Sequence, residues 1–222
     1  MSKFHVAERF ISINGEARRA GELAVFIRFA GCNLRCNYCD TKWALEKNAP
    51  SEIMSEEEIY AYIKETGVKN VTLTGGEPLW QEKIERLLML LGKDKELRIE
   101  IETDGAVDIE PFLNIEGNIS FTLDYKCPGS GMEKAMVLSN YEKVRKEDTV
   151  KFVVSDRADL DKMKEIIERY DLLDKCKVYV SAVFNRIDPR DIVNYMIENR
   201  LNDVRLQLQI HKFIWDPDKK GV

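Results

Sequence analysis

The chain has 222 residues, of which 44% are hydrophobic and 33% charged, with a net charge of −5 and five cysteines. This balance fits one compact domain over residues 1–222. It excludes a basic nucleic-acid binder, because no basic block stands apart from acidic neighbours. No apolar run reaches membrane-spanning length and the start shows no signal pattern, so a cytoplasmic protein with no membrane attachment is expected; an odd cysteine count in a long chain argues against a disulfide framework.

The opening run MSKFHVAERFISINGE is mixed and polar and carries no clear period. LAVFIRFA (23–30) then reads as a strand. SEEEIYAYIKETG (55–67) reads as a helix, with Ser55 and Glu58 in an S-x-x-E capping box and Gly67 as its stop. Strands follow at 70–74, 96–103, 118–123, 148–155, 177–184 and 203–209. Helices are expected at 80–93, 157–170 and 189–200, the last with proline in its first turn. The run DPDKKGV at the end reads as a solvated tail.

Repeated β–α alternation predicts an α/β fold with a parallel sheet and right-handed crossovers. A closed eightfold barrel usually needs about 250 residues. Seven strands in this length therefore point to a partial, open barrel of the (β/α)6 type. In such sheets chemistry gathers at the carboxyl ends of the strands. The cysteine loop, Gly75–Pro78, Thr103–Gly105 and Asp124–Lys126 all follow strands and would share one rim.

Cys32, Cys36 and Cys39 stand in GCNLRCNYCDTKW with the spacing C-x3-C-x2-C. Three thiolates with no fourth nearby suit a 4Fe–4S cluster that keeps one iron open, whereas structural clusters normally use four cysteines. The alternative is structural zinc, which wants four N/S ligands, usually in two pairs. Only one C-x2-C pair is present, and Cys127, Cys176, His5 and His211 are distant and unpaired. Cys127 and Cys176 read as ordinary thiols, the latter buried at a strand start.

The triad, with Tyr38 beside its last cysteine and Gly75–Gly76–Glu77–Pro78 after the next strand, resembles the radical S-adenosylmethionine enzymes. That resemblance implies an open iron chelating S-adenosylmethionine, a 5′-deoxyadenosyl radical, and hydrogen abstraction from an unactivated carbon. It places the cofactor against Tyr38, Cys39, Asp40, Gly76, Glu77, Thr103, Lys126 and Ser181, with Phe184 on the same rim.

Within that superfamily ISINGEARRAG, RFAGCNLRCNYCDTKWA, TLTGGEPL, IETDG and LQLQIHKFIW are similar to the 7-carboxy-7-deazaguanine synthase family. The resemblance implies conversion of 6-carboxy-5,6,7,8-tetrahydropterin to 7-carboxy-7-deazaguanine with loss of ammonia, in queuosine biosynthesis. It further implies Mg²⁺ on the Thr41 hydroxyl, a homodimer, and reduced flavodoxin or ferredoxin as electron donor. The substrate would meet Ile13, Asn14, Gly15, Arg28 and Thr74. Asn14 and Ala17 stand where the family commonly has Gln and Gly; Asn keeps the amide on a shorter arm. Arg28 suits a bidentate carboxylate clamp; its structural alternative is an ion pair with Glu77 or Glu102. His211 reads as a structural histidine. A glycyl-radical-enzyme activase and a zinc-stabilised binding module are the competing functions.

Overall fold

The structure, a computed structural model, describes residues 2–216 and 219–222. Among them nine strands form one sheet: β1 (Phe4–Ile13), β2 (Leu23–Phe29), β3 (Glu52–Met54), β4 (Asn70–Gly75), β5 (Arg98–Thr103), β6 (Ile119–Tyr125), β7 (Thr149–Val154), β8 (Lys177–Ala182) and β9 (Val204–Leu206). Their order is β3-β1-β2-β4-β5-β6-β7-β8-β9. From β2 through β4 to β9 every pairing is parallel. The sheet is an open, partial barrel, as expected, and the seven predicted strands are its parallel part.

Two strands were not legible. β1 and β3 pair antiparallel and extend the sheet beyond β2. β1 carries a register shift between Val6 and Glu8. The extra residue breaks the period of two on which strand recognition depends.

The main helices are α1 (Glu56–Thr66), α2 (Ile84–Lys93), α4 (Arg157–Arg169) and α6 (Pro189–Glu198), with single turns α3 (Asn140–Lys143), α5 (Leu172–Lys175) and α7 (His211–Ile214). The capping box of α1 is formed, and Gly67 closes the helix in the left-handed region at φ 68°. The helix expected from residue 80 starts later. Pro78–Trp80 is a short 3-10 turn, and Lys83 at φ 64° resets the chain before α2.

Successive residues of a strand point to opposite faces. Val71, Leu73, Ile99, Ile101, Phe121, Leu123, Val150 and Phe152 face the helices and make the core. Between them, Thr74, Glu102, Thr122, Asp124 and Lys151 face inward and line a cavity at the strands' carboxyl ends.

Candidate active site

The cavity has a volume of about 890 Å³ and takes wall from β1, β2 and every strand from β4 to β8. The cysteine loop forms one side. Cys32, Cys36 and Cys39 all line it, whereas Cys127 and Cys176 are buried elsewhere. All five cysteines are free thiols. Among the described residues no three Cys, His, Asp or Glu side chains are drawn around a single point. The donor set still fits a cluster: three free thiols on one loop, no fourth at hand, and the Leu34 amide donating to Cys32 Sγ at 3.4 Å. Burial pushes the Cys32 thiol up to about 12, and Asp104 and Glu77 add to it. Such a thiol ligates through the proton release that metal binding drives.

The Gly75–Pro78 turn packs directly on this loop. Gly76 N donates to Phe29 O at 2.9 Å and Glu77 N to Gly31 O at 2.9 Å. A Cβ at Gly76 would overlap the Gly31 carbonyl, so only glycine permits the approach. The Glu77 carboxylate is fully buried. It accepts from Leu79 N at 2.8 Å, Thr103 Oγ1 at 2.9 Å and Asp104 N at 2.6 Å. It ties the β4 turn to the β5 turn, with burial and then Asp104 pushing its carboxyl well above the usual range.

A chain of alternating charges crosses the floor. Lys151 Nζ lies 3.0 Å from Glu16 Oε2 and 3.9 Å from Asp124 Oδ1. Asp124 Oδ2 in turn holds Lys126 at 2.7 Å. Burial opposes both ammonium charges, but Asp124 with Cys36 and Tyr38 outweighs it at Lys126, and Asp124 with Glu16 and Glu102 outweighs it at Lys151, so both lie above their ordinary range. Ser181 donates to the second Glu16 oxygen at 3.1 Å.

At the rim, Thr41 donates to Asp40 Oδ1 at 2.9 Å. Burial raises the Asp40 carboxyl, but the Thr41 hydroxyl and the Lys212, Arg28 and Lys151 charges bring it below its usual value. A hydroxyl beside an ionised carboxylate is the hard-oxygen chemistry Mg²⁺ accepts. The His211 ring lies over Gly15, where a Cβ would collide with it. Stacked Phe10 and Phe26, 4.9 Å apart, form an apolar wall.

Of the residues predicted from sequence, Ile13, Gly15, Arg28, Cys32, Cys36, Tyr38, Cys39, Asp40, Thr41, Thr74, Gly76, Thr103 and Lys126 meet at this cavity. Asn14, Glu77 and Ser181 stand behind its wall. Asn14 is buried and its Oδ1 accepts from Thr72 at 2.8 Å, so the side chain points into the barrel interior. The acid paired with Arg28 is Glu8, at 3.0 Å, rather than Glu77 or Glu102. Asp216 and Lys219 to Gly221 are exposed, as expected of a solvated tail. Pro217 and Asp218 lie outside the described residues, but Lys219 to Val222 line the cavity, with Lys220 over the Trp43 ring at 4.2 Å. Sequence reading missed Glu8 and Lys151, and His211 borders the cavity. The signal for Lys151 was its place in the alternation of TVKFVV.

The Radical SAM superfamily model matches residues 26–123, from β2 to β6. A 7-carboxy-7-deazaguanine synthase of Clostridium acetobutylicum is 58% identical over 219 residues, covering 99% of both chains. The chain belongs to the 7-carboxy-7-deazaguanine synthase family. A synthase of that name from Koribacter versatilis is 34% identical over 236 residues, with 98% of this chain and 99% of that protein covered. The crystal structure of QueE from Escherichia coli superposes with a TM-score of 0.73 over 93% of this chain and 94% of that one. At 22% identity that likeness speaks for the fold alone. The family thus accounts for an incomplete barrel whose cysteine loop follows β2.

Proposed function

We propose that this chain converts 6-carboxy-5,6,7,8-tetrahydropterin to 7-carboxy-7-deazaguanine with loss of ammonia, as a radical S-adenosylmethionine enzyme of queuosine biosynthesis. The observation that carries this reading is convergence: the C-x3-C-x2-C loop, the Gly75–Gly76 turn and Arg28 border one cavity. It occurs in a chain 58% identical to a named synthase over nearly its whole length.

Cys32, Cys36 and Cys39 would hold a 4Fe–4S cluster. With S-adenosylmethionine bound, that group supplies a carbon-centred radical able to take hydrogen from an unactivated C–H bond. The protein's part is position and charge. Gly76 offers close backbone to the cofactor's methionine end, and Tyr38, Asp40, Thr103 and Lys126 border the same space. Glu77 acts one step removed, by fixing the turns that carry Gly76 and Thr103.

On the substrate side, Ile13, Gly15 and Thr74 border the pterin site. Asn14 gives its Oδ1 to Thr72 and its backbone to Glu22 and Gly21, which leaves its buried Nδ2 as the group without a partner among the described residues. Ser181 braces Glu16. Arg28 takes the pterin carboxylate, and Thr41 with Asp40 offers Mg²⁺ its protein oxygens while water and substrate complete the shell. Reduced flavodoxin or ferredoxin as donor, a homodimer and a cytoplasmic setting complete the reading. Among the described residues no helix is long and apolar enough to cross a membrane.

Anaerobic turnover of the carboxytetrahydropterin with S-adenosylmethionine and dithionite, with and without Mg²⁺, tests it. Wild type should form 7-carboxy-7-deazaguanine and ammonia in equal amounts, faster with Mg²⁺. Thr41→Ala should keep dithionite-driven S-adenosylmethionine cleavage but lose the Mg²⁺ stimulation. Cleavage without any pterin conversion would overturn the substrate and favour a glycyl-radical activase. An unchanged Mg²⁺ response in Thr41→Ala would remove the metal role.

A further inference from the structure

We infer that Glu8 is a positioning residue that sets Arg28 for a substrate carboxylate; this rests on the carboxypterin reading above. Phe4 and Val6 of β1 are packed in the helix-facing core. By a period of two, Glu8 and Phe10 would follow them there. Instead both line the cavity. The register explains the reversal: Val6 pairs with Phe29 but Glu8 with Arg28, so β1 spends two residues against one of β2. The bulge sits at Ala7 and turns Glu8 and Phe10 over to the cavity side. Bulges interrupt the ladder, and they recur where a side chain is re-aimed near an active site.

The side chain delivered in this way meets one nitrogen only. Arg28 Nε donates to Glu8 Oε2 at 3.0 Å, and both side chains are about four-fifths buried. Neither terminal nitrogen of Arg28 has a hydrogen-bond partner among the described residues, and the residue borders the cavity. A guanidinium held at Nε keeps its Nη1–Nη2 fork for a second, planar acceptor. Glu8 removes the rotation the fork would otherwise lose on binding, which is how preorganisation raises affinity. Its ligand class is a carboxylate on a heterocycle.

The test compares two ligands that differ only in that group. Binding of 7-carboxy-7-deazaguanine and of 7-deazaguanine is measured by calorimetry on the anaerobically reconstituted chain, its Arg28→Met variant and its Glu8→Gln variant. Wild type should prefer the carboxylated ligand by roughly ten- to a hundredfold. Arg28→Met should abolish the preference. Glu8→Gln should cut it at least about fivefold while leaving the 7-deazaguanine affinity within about twofold.

If wild type shows no preference, or Arg28→Met keeps it, the carboxylate reading of Arg28 falls, and Glu8 with it. If Arg28→Met loses the preference while Glu8→Gln keeps it, that reading stands and only the Glu8 inference is overturned. Equal weakening of both ligands in Glu8→Gln makes Glu8 merely structural. Glu8→Ala, measured the same way, repeats the comparison should the glutamine variant fold poorly.

Discussion

The two faces of the parallel strands obey different rules. On the face toward the helices, Val71, Ile101, Leu123 and Phe152 are fully or almost fully buried and interchangeable in kind: each contributes apolar area and shape. On the face toward the cavity, Thr74, Glu102, Asp124 and Lys151 are specific in kind, and each is tied to a named partner. The outer face supplies stability. The inner one spends some of it, because buried charges are tolerated only when paired.

The largest expected effect lies where the inner face meets the cysteine loop. Replacing Cys32, Cys36 or Cys39 by Ala should abolish iron binding and turnover together, read by iron and sulfide analysis after anaerobic purification. Cys176→Ala, outside the cavity, should keep full iron content. A triad variant with wild-type iron would break the assignment.

Next comes the ion-pair chain. Lys151→Met leaves Glu16 without its ammonium partner and Asp124 with one fewer, at a cost of about 3–5 kcal/mol in urea unfolding. Adding Glu16→Gln should return part of that loss. If the double variant is less stable still, the penalty is packing rather than unpaired charge.

Glu100 sharpens the comparison through pH. Burial raises its carboxyl from 4.5 to about 7, against the Thr122 hydrogen bond. The folded state therefore holds a proton that the unfolded chain has released. Its contribution is fully present below about 4.5 and is lost as pH rises through about 7, by about 3 kcal/mol at most. Glu100→Gln should remove that decline, so the difference in unfolding free energy between variant and wild type should grow from pH 5 to pH 8. A constant difference would mean that Glu100 does not titrate in this range.

The same contrast explains what the sequence discloses. In β5, RIEIET alternates strictly, and its isoleucines identify a strand and a core face at once. Its glutamates are ambiguous, since alternation ordinarily means that the polar face meets water. Only the curling of the sheet into a partial barrel turns Glu100 and Glu102 inward, and that curvature is a property of the whole topology. Lys151 in the alternation of TVKFVV was ambiguous for the same reason. Cys32, Cys36, Cys39 and Gly76 could be expected at the cavity because their spacing and type carry chemistry without the fold, and Arg28 because it lies on the strand that leads to them. β1 was hidden by its bulge. Asn14, Glu77 and Ser181, expected at the site, stand behind the cavity wall, because a motif locates a loop but not the direction of each side chain along it.

Ile27 and Arg28 are neighbours on β2 with opposite orientations, the first fully buried among the core side chains and the second at the cavity. Unfolding free energy and kcat/KM on the carboxytetrahydropterin, measured for Ile27→Ala and Arg28→Lys, therefore test the division of labour most directly. Ile27→Ala should lose about 2–5 kcal/mol of stability and keep the kcat/KM of its folded fraction within about twofold. Arg28→Lys should lose less than about 1 kcal/mol, because charge is kept. Its kcat/KM should fall roughly ten- to a hundredfold, because the fork is gone. Wild-type kcat/KM in Arg28→Lys, or a comparable fall in well-folded Ile27→Ala, would contradict the account.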